Sequence, residues 1–206
     1  ARKTPLLVLL GPTAVGKTAL SLQLAERLGT EIISGDSMLV YRGFDIGSAK
    51  PSAEECARVP HHLVDVLDAD APFSVTEFVA RVSELARDFD AAGRLPFVVG
   101  GTGLYVKALA EGYDFNVTQE HTCFRHAMAG VAARRGSGCV HRFLAHRDPA
   151  AAERIHANNL RRVIRALEVA RYGDESISRA RAMEHGTMPY DAHVIGLMRE
   201  RAHLYA

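Results

Sequence analysis

Residues Gly11 to Thr18 read GPTAVGKT, and this stretch restricts the fold more than any other part of the chain. The pattern GxxxxGK[ST] works only between an apolar strand and a helix. Its glycines let the backbone curl until its N–H groups converge on phosphate oxygens. Both flanks are present. Pro5 to Leu10 is a compact apolar run that reads as a buried strand. From Ala19 to Leu28 the leucines 20, 24 and 28 recur on one helical face, and Gly29 follows as a stop. The loop backbone at Gly11, Thr13, Ala14, Val15 and Gly16 would form the phosphate cradle. Lys17 would supply a point charge, and the Thr18 hydroxyl can hold Mg²⁺. Such a loop specifies a di- or triphosphate without saying which molecule carries it.

The remaining chain continues the alternation of strand and helix. Glu31 to Ser34 and His62 to Leu67 are short strand candidates. Ser74 precedes Glu77 as in a capping box, and Val75, Phe78, Val79, Val82, Leu85, Ala86 and Phe89 then recur at helical spacing up to Gly93. Pro96 to Val99 reads as a buried strand and His193 to Met198 as one that returns to the sheet. This order predicts an α/β fold, a P-loop NTPase-like parallel sheet with helices on both faces, plus a mainly helical insertion. The core domain is expected over 1–113 and 191–206, with the insertion over 114–190. Within the insertion, Asp148-Pro149 and Asn158-Asn159 mark helix starts.

Composition excludes some classes. With 48% hydrophobic and 24% charged residues the 206-residue chain is not of the disordered type. Its apolar runs fall far short of the ~20 residues that a membrane-spanning helix needs. Cys56, Cys123 and Cys139 form no CxxC pair, so a reduced, cytoplasmic setting is expected. The net charge is only +1, but ten Arg and four acids lie between Phe115 and Arg171. That excess suits phosphates or nucleic acid, or simply a solvated helical surface.

Two more loops stand at strand ends. Asp36 follows the second strand and should face the crevice of the P-loop, where it could hold Mg²⁺ through water or accept a proton. Gly100-Gly101-Thr102-Gly103 follows the strand at 96–99, and Thr102 offers a hydroxyl there.

Taken in order, these pieces resemble the tRNA dimethylallyltransferase (isopentenyltransferase) family. The resemblance rests on GPTAVGKT, on GDSMLVYRGFDIGSAKP from Gly35, on PHHLVDVLD from Pro60 and on VVGGTGLYVKAL from Val98. It continues with DPAAAERIHANNLRRVIRALEV from Asp148 and with Arg201-Ala202-His203-Leu204-Tyr205.

The resemblance implies transfer of the dimethylallyl group from dimethylallyl diphosphate to the exocyclic N6 of the adenine 3′ of the anticodon. The donor diphosphate would lie in the P-loop with Mg²⁺. Lys17 and Arg201 would clamp it, Asp36 would be the general base, and Thr102 would sit near the reacting base. Contacts to the tRNA anticodon stem-loop would come from Asp36, Ser37, Met38, Leu39 and Thr102, and from Arg161, Arg162, Val163, Ile164 and Arg165. The strand at 96–99 is followed by glycines rather than by a second magnesium carboxylate, which suits an isoprenoid diphosphate better than a nucleotide. A monomer without membrane attachment is expected. The alternatives are an adenylate isopentenyltransferase, a small-molecule P-loop kinase, and an RNA-binding module with an idle P-loop.

Overall fold

In a computed structural model the chain is described over residues 2–111, 121–173 and 190–200. It divides into two compact units, Ala1–Tyr113 with Thr187–Ala206, and Asp114–Gly186.

The first unit is built on a five-stranded parallel sheet. Its strands are β1 (Thr4–Leu10), β2 (Ile32–Ser34), β3 (His61–His62), β4 (Phe97–Gly100) and β5 (Tyr190–Gly196), in the order β3-β2-β4-β1-β5. The side-chain period of two sorts the sheet residues to opposite faces. Leu6, Val8, Ile33 and Val98 point to one side, where Phe78, Val82, Ala86 and Phe89 of α3 (Val75–Ala91) and Tyr105, Val106 and Leu109 of α4 (Gly103–Glu111) cover them. Leu9, Ile32 and Phe97 point to the other side, against Leu22 and Ala25 of α1 (Lys17–Leu28) and Val59, which ends the short α2 (Ala53–Arg58). Helices therefore cover both faces, as the strand–helix alternation requires.

Three local expectations change. The most deeply buried residues of α1 are Ser21, Leu22 and Ala25; of the leucine row, Leu20 and Leu24 pack beside them partly buried, and Leu28 is 46% exposed. The small side chains let the helix lie close to the sheet, and the Ser21 hydroxyl is satisfied by donating to Thr18 O at 2.9 Å. The strand expected over His62–Leu67 is only His61–His62, because Leu63 and Asp65 take left-handed φ of 60° and 54°. Residues 65–67 pair with the chain after β2 instead, through Asp65 N to Leu39 O and Val66 N to Val40 O at 3.0 and 2.9 Å. The last strand begins at Tyr190 rather than His193. It runs in register with β1 from Thr4↔Tyr190 to Leu10↔Gly196.

The second unit is helical over its described residues, with α5 (Thr122–Arg135), α6 (Ser137–Arg147), α7 (Pro149–Arg154) and α8 (Leu160–Tyr172). Asp148 caps α7 by accepting from Ala151 N, with Pro149 in the first turn, as Asp-Pro foretells. Val140, Leu144, Ala151, Val163, Ala166 and Leu167 form its core.

Candidate active site

Adjacent parallel strands deliver three loops to one end of the sheet. The carboxyl ends of β1, β2 and β4 lead into Gly11–Gly16, into Gly35–Leu39, and into Gly101–Thr102. The loops are pinned to each other by backbone contact. Gly35 N donates to Val99 O at 2.8 Å. A Cβ at Gly100 would lie 2.7 Å from the Gly35 Cα, a separation that real side chains do not reach, so glycine is needed for the two loops to touch.

The P-loop has the turn geometry that its sequence calls for. Gly16 sits at φ 96° as the residue before α1, a conformation that glycine adopts without strain. Lys17 Nζ lies over the loop, donating to Gly11 O at 2.8 Å and to Pro12 O at 2.6 Å. Its ammonium is pulled below the usual lysine range by burial, while the negative charge of Asp36 acts in the opposite sense. Thr18 is exposed in the first turn of α1.

Asp36 is partly buried and oriented by its own loop. Its Oδ1 accepts from Met38 N at 2.8 Å, an Asx-type turn that fixes the carboxylate. Ser37 N donates to the Thr102 hydroxyl at 3.3 Å, which joins the β2 and β4 loops side chain to backbone. Thr102 O in turn accepts from Tyr105 N and Val106 N, opening α4. Met38 stands 49% exposed beside this junction. The structure therefore brings Lys17, Thr18, Asp36, Ser37 and Thr102 to one end of one sheet. Arg201 lies outside the described residues.

The arginines of α8 separate into two kinds. Arg161 and Arg162 are exposed. Arg165 instead turns to Glu168, with Nη1 at 2.6 Å from Oε2. Val163 and Ile164 are 0% and 7% exposed in the helical core, so their side chains offer no surface contact within this unit. They follow the helix period that makes α8 amphipathic.

Two ion networks, one around buried Glu168 and one around the covered Lys50 side chain with its exposed carboxylates, have no signature in the sequence. Glu168 is fully buried and accepts from Arg125 Nε and Nη2, from Arg165 Nη1 and from His121 N. Burial works against its charge. The hydrogen bonds from Arg125, Arg165 and the His121 backbone outweigh that and hold the carboxyl down at about 2. Lys50, 7% exposed, is held by Asp45 and Asp65. No spacing rule links Arg125 with Glu168 or Lys50 with Asp65, and only the fold brings them together.

A profile described as IPP transferase matches residues 39–206. The chain belongs to the IPP transferase family. A second profile, isopentenyl transferase, matches residues 4–65 and so includes the P-loop. Among curated relatives, the tRNA dimethylallyltransferase of Symbiobacterium thermophilum is 50% identical over 204 residues, covering 99% of this chain and 64% of that protein. That of Geobacillus kaustophilus is 45% identical over 198 residues, covering 96% of this chain and 63% of that protein. The full-length tRNA isopentenylpyrophosphate transferase of Bacillus halodurans superposes with a TM-score of 0.63 at 44% identity, over 98% of this chain and 63% of that one. A eukaryotic dimethylallyltransferase, captured in crystallographic snapshots acting on tRNA, gives a TM-score of 0.80 at 28% identity, over 94% of this chain and 48% of that one. The chain thus spans just under two thirds of the length of these bacterial IPP transferase relatives. Among the described residues no helix is long and apolar enough to cross a membrane.

Proposed function

We propose that this chain transfers a dimethylallyl group from dimethylallyl diphosphate to the exocyclic N6 of the adenine 3′ of the anticodon in tRNA. The observation that carries this reading is the meeting of an intact P-loop with Asp36 and Thr102 in a member of the IPP transferase family. In this reading the loop amides from Gly11 to Thr18 grip the diphosphate. Lys17 leaves its two carbonyl partners to neutralise charge that builds on the leaving group. Arg201 adds a second cation.

Adenine N6 is a weak nucleophile, because its lone pair is delocalised into the ring. Asp36, held by Met38 N, takes the N6 proton as the C–N bond forms. Thr102 and the Ser37–Leu39 segment flank the base, which must leave the anticodon stack to enter the crevice. Arg161 and Arg162 supply phosphate contacts from the helical unit.

The donor set suits Mg²⁺. The Thr18 hydroxyl at the start of α1 and the diphosphate oxygens are hard oxygen ligands of the kind this ion takes. Among the described residues no cluster of three or more His, Cys, Asp or Glu forms a metal centre of a different kind. When bound, Mg²⁺ stabilises negative charge on the diphosphate.

Calorimetric titration with dimethylallyl diphosphate and with ATP, each with Mg²⁺, tests the donor assignment. Preference for the isoprenoid supports it. Binding of ATP alone would return the chain to the kinase reading.

A further inference from the structure

The loop that carries Asp36 does not end at Leu39. It continues to Pro51, and Lys50 near its end ties back to Tyr41, Asp45 and Asp65, beside the Arg42–Asp68 ion pair and the backbone bonds to residues 65–67. The Lys50 side chain is 7% exposed, yet none of its partners is on its own turn of chain. Its Nζ donates to Tyr41 O at 3.1 Å, to Asp45 Oδ1 at 2.6 Å and to Asp65 Oδ1 at 2.6 Å. Burial works against the ammonium, but the two carboxylates more than offset it, and the group stays charged well above neutral pH.

Asp65 transmits this tie. Its backbone N–H donates to Leu39 O, and the next two residues donate to Val40 O. Arg42 N returns a hydrogen bond to Leu67 O at 2.8 Å, and Tyr41 bridges Leu67 in parallel fashion. The paired segments therefore sit three residues beyond Asp36. Ala49, next to Lys50 in the chain, and Asp65, which its ammonium holds, take left-handed φ of 53° and 54°. Non-glycine residues keep such a conformation only where their surroundings over-determine it. A buried cation satisfied by three oxygens from three points of the chain is such a surrounding.

We propose that Lys50 is a positioning residue for the acceptor side of the site, locking the loop from Asp36 to Asp45 onto residues 65–67 so that Asp36 and Ser37 stay registered against Thr102. It touches neither substrate in this scheme. The proposal rests on the reading of Asp36 and Thr102 as the acceptor side. The hydrogen bonds that hold Lys17 over the diphosphate cradle go to Gly11 and Pro12, outside this network, so donor and acceptor effects should separate.

The test uses the intact protein with Lys50→Met and Asp65→Asn. The methionine keeps the apolar stem. The asparagine keeps the shape and tolerates the left-handed backbone. In Lys50→Met the amides of Arg42, Asp65, Val66 and Leu67 should exchange faster with deuterium. The kcat/KM for tRNA should fall on the order of 10- to 100-fold, as misplacement of a reacting group by about 1 Å does. Affinity for dimethylallyl diphosphate should stay at the wild-type level. Asp65→Asn should move the same quantities in the same direction, and the double variant should be little worse than either single one.

Wild-type amide protection in both variants would overturn the proposal. So would wild-type tRNA kinetics, or a loss of donor affinity matching the loss of turnover. If Lys50→Met does not fold, Asp65→Asn decides by the same readouts. If the wild type itself transfers nothing, the functional reading falls, and amide exchange in the free protein decides whether Lys50 holds the loop.

Discussion

Replacing Glu168 by Gln should destabilise the helical unit far more than a typical surface substitution. The carboxylate is 0% exposed, ties α5 to α8 through Arg125 at 2.7 Å, and is also held by Arg165 of its own helix at 2.6 Å. Its carboxyl is held down from an ordinary 4.5 to about 2. That interval corresponds to roughly 3 kcal/mol of folding stability at neutral pH, counted as an upper figure. The sign follows from the direction of the shift. A carboxyl that binds its proton more weakly when folded stabilises the fold above its unfolded value near 4.5. The contribution is lost as pH falls through the folded value near 2. Glutamine keeps the shape but leaves Arg125 and Arg165 facing a neutral amide, and breaking one side of a buried pair costs about 3–5 kcal/mol. Urea denaturation of wild type and Glu168→Gln at pH 7, followed by helical circular dichroism, should give a difference of about 2–4 kcal/mol, narrowing as pH falls from 4.5 towards 2. A difference under about 0.5 kcal/mol, or one that widens on acidification, would refute the assignment of Glu168 as the electrostatic anchor.

Other outcomes follow from the same geometry. Lys17→Ala should weaken binding of dimethylallyl diphosphate by about 1.5–3 kcal/mol, read by calorimetric titration, because the diphosphate no longer has a charged donor there. Asp36→Asn retains the acceptor for Met38 N but not the base, so turnover should fall on the order of 10²–10⁴-fold, with donor affinity unchanged without tRNA. A large drop in Mg²⁺-dependent donor binding in that variant would make Asp36 a metal ligand instead. Arg161→Gln with Arg162→Gln should flatten the salt dependence of tRNA binding by roughly 0.7–0.9 for each phosphate that an arginine no longer neutralises. An unchanged slope and affinity would leave both residues as solvated surface.

Local signals carry the phosphate side of the site, whereas long-range pairing decides much of what supports it. GPTAVGKT between an apolar run and a helix has one structural solution, and the order of strands and helices then leaves little choice but a parallel sheet covered on both faces. Leucine spacing marks the edge of the buried face of α1 and not its centre, because contact with the sheet selects Ser21, Leu22 and Ala25, with Leu20 and Leu24 only partly buried beside them. The run His62–Leu67 is apolar enough for a strand. Left-handed Leu63 and Asp65 end it, because residues 65–67 find partners in the Asp36 loop. By spacing alone Arg165 belongs to one basic flank with Arg161 and Arg162, but its buried partner three residues on, Glu168, takes it out of that flank. In net-charge counting Glu168 is one more acid. Only burial reveals it as the centre of a network.

The claim that most needs testing is transfer itself. Labelled dimethylallyl diphosphate and Mg²⁺ are supplied to the intact protein with an anticodon stem-loop bearing adenine 3′ of the anticodon, and in parallel with AMP. The RNA is then digested to nucleosides and separated. Label recovered as N6-dimethylallyladenosine from the stem-loop, and absent when that adenine is replaced by guanine, is the predicted result. Label on AMP but not on the stem-loop, or no label on either, would contradict it.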